Sequence, residues 1–308
     1  MRCVVTGGCG FIGSHVIDEL KKNGHEVTNI DKKGKDAIVV DICDTKALSK
    51  VLKEIKADVV FHLAAVADAR EALADPVKAV NINIGGTASV LEACREASVK
   101  RFIFASTCWV ASAMGSGIVD ENTPFSPTGG GHVYTTTKIA GELLCHDFNK
   151  LYGLSFTILR YGIPYGPGMW SGLVLRNFLD NAFSGKPLVI FGDGSASRRF
   201  LYIEDLARAH VLALQEVAEN QTYNLEGMRS VTIKELAELV SKLLGGVEIQ
   251  YKEEPTRRGE FKYFRQIISS NKAHIELNWE PRIDLEEGVR RTIEWYKKEV
   301  VKSEKRKG

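Results

Sequence analysis

The sequence predicts an α/β fold, a doubly wound parallel sheet with a smaller mixed α/β domain toward the C-terminus. Three observations carry that prediction. Short apolar runs and amphipathic stretches alternate through the first half of the 308 residues, the pattern of a parallel sheet with helices on both faces. The first run, Cys3 to Val5, leads into a glycine-rich turn and then a helix. Beyond residue 162 the elements shorten and are broken by proline and glycine, which marks a change of structural regime.

Residues 6–14 read Thr-Gly-Gly-Cys-Gly-Phe-Ile-Gly-Ser. Gly8, Gly10 and Gly13 fit G-x-G-x-x-G, and Gly7, Gly10 and Gly13 fit a wider G-x-x-G-x-x-G. Either template aims backbone N–H groups and a helix N-terminus at one spot, an anion site suited to a pyrophosphate. From Phe11 onward Ile12, Val16, Ile17 and Leu20 recur at helical spacing. Asp31 closes the second apolar run, Val27 to Ile30, eighteen residues after Gly13. An acid there can bond both hydroxyls of an adenosine ribose, so the unit reads as a Rossmann-type dinucleotide site. No Gly-Lys-Ser/Thr closes the loop, which excludes a Walker P-loop. Lys32, Lys33 and Lys35 read as a solvated loop. The alternative is a grip on the 2′-phosphate of NADP, which Asp31 would repel, so NAD is the expected cofactor.

The remaining elements follow in order. Ile38 to Val40 is a third strand ending in Asp41-Ile42, and Leu48, Val51, Leu52 and Ile55 mark a helix. Val59 to Leu63 is a fourth strand ending in Ala64-Ala65, small enough for a flat ligand to lie against the backbone. Pro76 suits the first turn of a helix running to about Ala97. Its interior holds Gly85 and Gly86, each costing about 1 kcal/mol against alanine, which implies close approach by a backbone or a ligand. Arg101 to Ala105 is a fifth strand ending in Ser106-Thr107-Cys108, and residues 111–131 read as a loop. Tyr134 and Lys138 open a helix running to about Tyr152, and Ser155 to Arg160 is a sixth strand. The dinucleotide-binding domain is expected over 1–162, with 197–225 returning to it, and the substrate domain over 163–308. The latter shows helical spacing at Leu173–Ser184, Asp205–Val217 and Thr232–Leu244, strands at Pro187–Phe191, Phe200–Ile203 and Tyr223–Leu225, and a last helix ending over Ile293–Val300. Thr232 and Glu235 stand at capping-box spacing.

Composition narrows the function classes. Hydrophobic residues make up 44% and charged residues 26%, with a net charge of +2. These values fit a globular protein and argue against a dedicated nucleic-acid binder. No apolar run approaches the roughly 20 residues that span a bilayer, and the glycine loop begins too early to leave room for a signal peptide. The six cysteines contain no C-x-x-C pair. That disfavours a disulfide scaffold or a metal site and fits a reducing, cytoplasmic setting.

Thr107, Tyr134 and Lys138 could form one catalytic group. A spacing of four puts Tyr134 and Lys138 on one helix face. A free tyrosine has a pKa near 10 and makes a poor base unless its phenolate is stabilised. An ammonium one turn away, and an oxidised nicotinamide, would lower it. Thr107 offers a hydroxyl for a substrate oxygen. Such a set would move a proton on and off a sugar-type hydroxyl while hydride moves to or from the cofactor.

With these residues in hand the sequence resembles the extended short-chain dehydrogenase/reductases, in particular the NAD-dependent nucleotide-sugar epimerase/dehydratase family. The matching stretches are residues 6–14, Asp31, Asp41-Ile42, His62-Leu63-Ala64-Ala65, Asn83 with Gly86-Thr87, Ser106-Thr107, Tyr134 with Lys138, Leu159-Arg160-Tyr161, Tyr165-Gly166-Pro167, Gly192-Asp193-Gly194, Arg198, Tyr202, Asp205 and Arg257-Arg258-Gly259-Glu260. The resemblance implies that Gly7, Gly10, Phe11, Ile12 and Gly13 hold the pyrophosphate, and Asp31, with Lys32 beside it, the adenosine ribose. Asp41 and Ile42 would flank the adenine, Leu63, Ala64 and Ala65 would line the dinucleotide, and Asn83 would brace the site. Tyr161 is a further expected cofactor residue. Tyr134 would be the base, with Lys138 on the nicotinamide ribose and Thr107 on the sugar. Asn177, Arg198 and Arg257 would bind substrate, the arginines gripping the diphosphate.

Dehydratases and decarboxylases of the family resemble one another in carrying an acid shortly after the catalytic Ser/Thr. Here Cys108 and Trp109 stand in those places. The resemblance therefore implies a 4-epimerase, interconverting UDP-glucose and UDP-galactose through a transient 4-keto sugar. The alternatives are a nucleotide-sugar 4-ketoreductase or dehydrogenase and a non-catalytic NAD-sensing protein. A homodimer through the helices at about 77–97 and 134–152 is also implied. The chain departs from its relatives where Gly162-Ile163 replaces Phe-Asn and where Trp109 and Ala111-Ser112 replace Val-Tyr-Gly.

Overall fold

The computed structural model describes residues 1–111, 117–128, 131–253 and 266–305. β1 (Arg2–Thr6) runs into the glycine turn and α1 (Phe11–Lys22) follows. Helix α1 buries Val16, Ile17 and Leu20 of the predicted stripe, with Phe11 buried beside them and Ile12 half-buried. Next come β2 (Glu26–Asp31), β3 (Ile38–Val39), α2 (Thr45–Ile55) and β4 (Val59–His62). Asp44 opens α2 by accepting the Ala47 N–H, an N-cap that satisfies one of the helix-start donors.

The stretch read as one helix from Pro76 to about Ala97 is divided. After α3 (Ala69–Ala74), α4 (Pro76–Val80) leads into a π-helical turn at Asn81–Gly85, and α5 (Gly86–Glu96) completes the run. A π turn accommodates an extra residue, and Asn83 at its centre is buried. At Gly86 the Ile42 side chain packs against bare backbone: a Cβ there would lie 2.7 Å from Ile42 Cδ1. Gly85 faces open space, so nothing in the protein's own packing requires it.

β5 (Arg101–Thr107) is buried along its whole length. The region read as a loop contains β6 (Gly117–Val119), which pairs in parallel with Gln266–Ile268. α6 (Val133–Tyr152) is capped by His132 and closed by Gly153 at φ 71°, a left-handed position that glycine takes without strain. β7 (Ser155–Tyr161), β8 (Ile163–Tyr165), α7 (Val174–Phe183), β9 (Leu188–Phe191), β10 (Ser197–Arg198), β11 (Phe200–Tyr202), α8 (Ile203–Leu212), β12 (Gln221–Leu225) and β13 (Val231–Thr232) follow. The chain ends with α9 (Ile233–Leu243), β14 (Ile249–Lys252), β15 (Gln266–Ile268), α10 (Asn271–Leu277) and α11 (Leu285–Lys305).

Seven strands form one sheet in the order β12-β7-β5-β4-β1-β2-β3, and every pairing in it is parallel. This is the doubly wound Rossmann-type sheet the sequence predicts. The strand order reverses between β1 and β4, so a binding crevice is expected beyond Thr6 and His62 at their carboxyl ends. On one face, Val4, Val60, Phe102, Phe104 and Ile158 pack with Leu48 and Leu52 of α2, Val90, Leu91 and Cys94 of α5, and Cys145 of α6. No helix among the described residues is long and apolar enough to cross a membrane.

The chain forms two compact units. The first comprises Met1–Gly162, Leu206–Leu225 and Arg265–Glu280, and the second Ile163–Asp205, Glu226–Phe264 and Pro281–Gly308. Within the second, β9 pairs with β14 and β8 with β11 in parallel, and β10 pairs with β13 antiparallel. Thr232 caps α9 by accepting the Glu235 N–H at 3.0 Å.

Candidate active site

The glycine loop is held by its own backbone. The Gly7 N–H donates to the Ile30 carbonyl at 2.8 Å, and the Gly7 carbonyl accepts the Gly10 N–H at 3.0 Å. Gly7 has φ 77°, and a Cβ there would lie 2.7 Å from Ala64 N, so glycine lets the loop touch the chain beyond β4. A Cβ on Gly13 would lie 2.3 Å from the Gly7 carbonyl oxygen. Gly8, which the wider template treats as dispensable, has no more room: its Cβ would fall 2.2 Å from Asn29 Oδ1 and 2.5 Å from Ile17 Cδ1. Gly10 is exposed, and the nearest atom to a Cβ there is the Gly7 oxygen at 3.1 Å.

No side chain caps α1 at Gly10, and its first turn contains no acid. A positive helix end with no carboxylate of its own suits a pyrophosphate. The Cys9 N–H donates to Asp31 at 3.0 Å, and Asn29 Nδ2 approaches Cys9 Sγ at 3.3 Å. The Cys9 thiol packs where Gly34 leaves space, the filler role its small size suggests. Lys32 and Asp41 are exposed, Ile42 is buried, and Leu63, Ala64 and Ala65 are half-buried beyond the end of β4.

A buried polar chain runs behind this loop. Thr6 Oγ1 lies 2.8 Å from His62 Nδ1, and His62 Nε2 lies 3.1 Å from Thr87 Oγ1. Thr87 donates to the Asn83 carbonyl at 2.5 Å. The Thr87 oxygen therefore accepts from His62 Nε2–H, and His62 Nδ1 accepts from Thr6. Burial, and then the Lys138 charge, push His62 down to about 3, so the imidazole is neutral. The Asn83 side chain accepts the Val66 N–H at 2.7 Å and donates to the Val66 carbonyl at 3.1 Å and to Thr137 Oγ1 at 3.0 Å. Thr137 in turn donates to the Tyr134 carbonyl at 2.7 Å. Both Asn83 amide hydrogens are used within the protein, which makes it a brace between the π turn and α6.

Helix α6 lies close on β5 because Gly141 has no side chain: a Cβ would sit 2.3 Å from Phe104 Cζ. Lys138 Nζ donates to the Ala105 carbonyl at 2.7 Å and stands 6.0 Å from the centre of the Tyr134 ring. Burial lowers Lys138 to about 8, opposed chiefly by the Glu142 charge. Burial also raises the Tyr134 phenol above its ordinary value. Desolvation thus opposes the lowering that a neighbouring ammonium supplies. Thr107 is buried, and its hydroxyl oxygen accepts the Trp109 N–H at 3.3 Å. The Trp109 ring meets Tyr134 edge-on at 6.3 Å and His132 at 5.1 Å.

Two features escaped the sequence reading. Arg160 holds Glu142 through Nε at 3.0 and 3.2 Å and through a terminal nitrogen at 2.7 Å, and Ser106 donates to the same carboxylate. A legible signal existed: Glu142 continues the spacing of four from Tyr134 through Lys138 along the buried face of α6. The second feature is His210, whose Nε2 accepts from the Tyr161 hydroxyl at 2.6 Å while its Nδ1–H donates to the Leu206 carbonyl at 2.9 Å. The Tyr161 hydroxyl is therefore committed to the protein.

Asn177 and Arg198 belong to the second unit. Asn177 is exposed on α7 and exchanges hydrogen bonds with the Gly172 backbone at 3.2 and 3.4 Å. Arg198 lies on β10 and donates to the Ser197 carbonyl at 2.8 Å. Arg257 lies outside the described residues.

Residues 3–225 match the family model described as "NAD dependent epimerase/dehydratase family". The chain belongs to this family. The cofactor of the NAD-dependent epimerases and dehydratases is NAD, and the uncapped start of α1 with the adjoining Asp31 fits it. A putative UDP-glucose 4-epimerase of Methanocaldococcus jannaschii is 33% identical over 310 residues, covering 96% of this chain and 98% of that protein. Among solved structures, the UDP-glucose 4-epimerase of Thermotoga maritima with UDP-glucose is 30% identical, with a TM-score of 0.88 and coverage of 97% of this chain and 100% of that one. The UDP-glucuronic acid 4-epimerase of Bacillus cereus, solved with UDP-glucuronic acid and NAD, is also 30% identical, with a TM-score of 0.85 and coverage of 97% and 99%. Other relatives are named as dehydratases and decarboxylases.

Proposed function

We propose that this member of the family is a nucleotide-sugar 4-epimerase that interconverts UDP-glucose and UDP-galactose. The observation that carries the reading is the pair of residues after Thr107. Eliminating water from a sugar needs a general acid. Cys108 is buried, with its thiol donating to the Arg160 carbonyl at 3.2 Å, and Trp109 has no acidic proton. What such a site can still perform is oxidation and re-reduction at C4. The choice of glucose is supported by the names of the Methanocaldococcus and Thermotoga relatives.

Bound NAD supplies hydride acceptance and return at C4 of the sugar. Tyr134 takes the proton of the C4 hydroxyl and gives it back after the 4-keto sugar has turned over. Thr107 holds the same oxygen, and Lys138 stabilises the phenolate and holds the nicotinamide ribose. Gly7, Gly10, Phe11, Ile12 and Gly13 hold the pyrophosphate, Asp31 and Lys32 the adenosine ribose, and Asp41 and Ile42 the adenine. Leu63, Ala64 and Ala65 line the dinucleotide, and Arg198, Arg257 and Asn177 take the nucleotide sugar. The exposed apolar side chains Val77 and Val80 of α4 and Leu143, Leu151 and Tyr152 of α6 support a homodimer through these helices.

The test is to incubate the purified protein with UDP-glucose, without added cofactor, and separate the products. UDP-galactose formed by protein that retains NAD is the expected result. Turnover of UDP-glucuronate or a UDP-N-acetylhexosamine alone would reassign the sugar. Net NADH would replace the epimerase with a dehydrogenase.

A further inference from the structure

Tyr134, Lys138 and Glu142 follow one another at intervals of four on α6, so their side chains share a face. Ser106 of β5 and Arg160 of β7 are register partners on adjacent strands, and both reach Glu142. Ser106 lies between Ala105, which accepts from Lys138, and Thr107. Glu142 is 1% exposed, and Lys138 and Arg160 are each 5% exposed. A buried ion pair is a poor source of stability, because desolvating both ions offsets their attraction. Its position beside the two groups of the reaction suggests another use.

We propose that Glu142, fixed by Arg160 and Ser106, is a positioning residue of the reaction: it locks α6 to the ends of β5 and β7 and is the counter-charge of the Lys138 ammonium. The proposal rests on the reading of Tyr134 as base and Lys138 as its cation. Arg160 balances the carboxylate, so Lys138 keeps a net positive charge to offer the phenolate. The other groups facing Lys138 are Tyr134 and Cys145 on its own helix, His62 on β4, and the Ala105 carbonyl and Phe104 ring on β5. His62 is neutral, and burial raises both the Cys145 thiol and the Tyr134 phenol. Glu142 is thus the anion among them.

The experiment compares pH profiles of sugar turnover for the holoenzyme and its Glu142→Gln, Glu142→Asp and Ser106→Ala variants. Glu142→Gln keeps the shape and removes the charge, so the alkaline limb, where Lys138 loses its proton, moves down by about one pH unit. Glu142→Asp keeps the charge and leaves the limb near its original pH. Ser106→Ala removes one hydrogen bond, lowering kcat about five-fold with KM unchanged and the limb unmoved. A Glu142→Gln limb coincident with that of the unaltered enzyme would overturn the proposal. Should that variant not fold, unaltered kcat in both Glu142→Asp and Ser106→Ala would overturn it equally. If the unaltered protein turns over no UDP-sugar, the reading of the reaction fails instead. The pH at which NAD affinity changes, measured by calorimetry, then tests the proposal without a sugar, and again Glu142→Gln must shift it.

Discussion

The backbone N–H of Cys9, inside the glycine turn, donates to the Asp31 carboxylate at the end of β2 across 3.0 Å. The loop thus orients the acid assigned to the ribose. Asp31→Ala removes both the charge and this anchor. NAD affinity is expected to fall about ten-fold or more, the worth of a charged hydrogen bond, and the preference over NADP to narrow. Calorimetric titration with both dinucleotides checks this; undiminished NAD affinity would remove Asp31 from the site.

Tyr134→Phe deletes the proposed proton carrier and little else, since the ring contacts with Trp109 and His132 are available to phenylalanine. Turnover should drop by about a hundred-fold or more, with cofactor content unchanged. A variant that still epimerises at the original rate would show that another group serves as base.

Gly13→Ala places a methyl group against the Gly7 carbonyl oxygen, a backbone atom that cannot swing aside. Overpacking of this kind costs about 1–3 kcal/mol and pushes the turn away from α1. The expected outcome is a lower melting temperature together with NAD lost during purification. Absorbance of the cofactor released on denaturation measures the loss.

Stability should also respond to pH through His62 and His210. Burial holds them near 3 and 4, against 6.5 ordinarily. Below pH 6.5 the unfolded chain takes up protons at both sites while the folded chain does not, so stability falls as pH drops from 6.5 toward 3. Urea midpoints at pH 7.5 and 5 give the slope. Replacing His62 with glutamine should flatten it, and an unchanged slope would show that other groups set it.

The sheet and its glycine turn are legible because β1, β4 and β5 are built on apolar runs and α1 and α2 on 3.6-residue stripes, signals local to the chain. The π turn was not, because its consequence is the burial of Asn83 against Val66 and Thr137, partners distant in sequence. Gly86 stands out in the sequence, but its neighbour Ile42 does not, since only the fold brings that side chain beside it. Glu142 was legible from spacing alone, yet a carboxylate on a buried helix face makes sense only once Arg160 arrives from β7. Gly8 shows the limit of a motif template, which marks the ligand's needs and is silent about Asn29 and Ile17.

The first compact unit is assembled from three separated stretches of chain, and its last sheet strand, β12, pairs with β7 although Gln221 follows Tyr161 by 60 residues. On the ribosome, β7 therefore emerges long before the strand that covers it. Until then its outer edge, Thr157 to Tyr161, is an open row of hydrogen-bonding groups beside apolar side chains, the kind of edge that recruits other chains. A fragment ending at residue 162 would keep that edge bare permanently. The protein is accordingly not divisible at the point where its composition changes, and shortened forms built on that boundary should aggregate more readily than the whole chain.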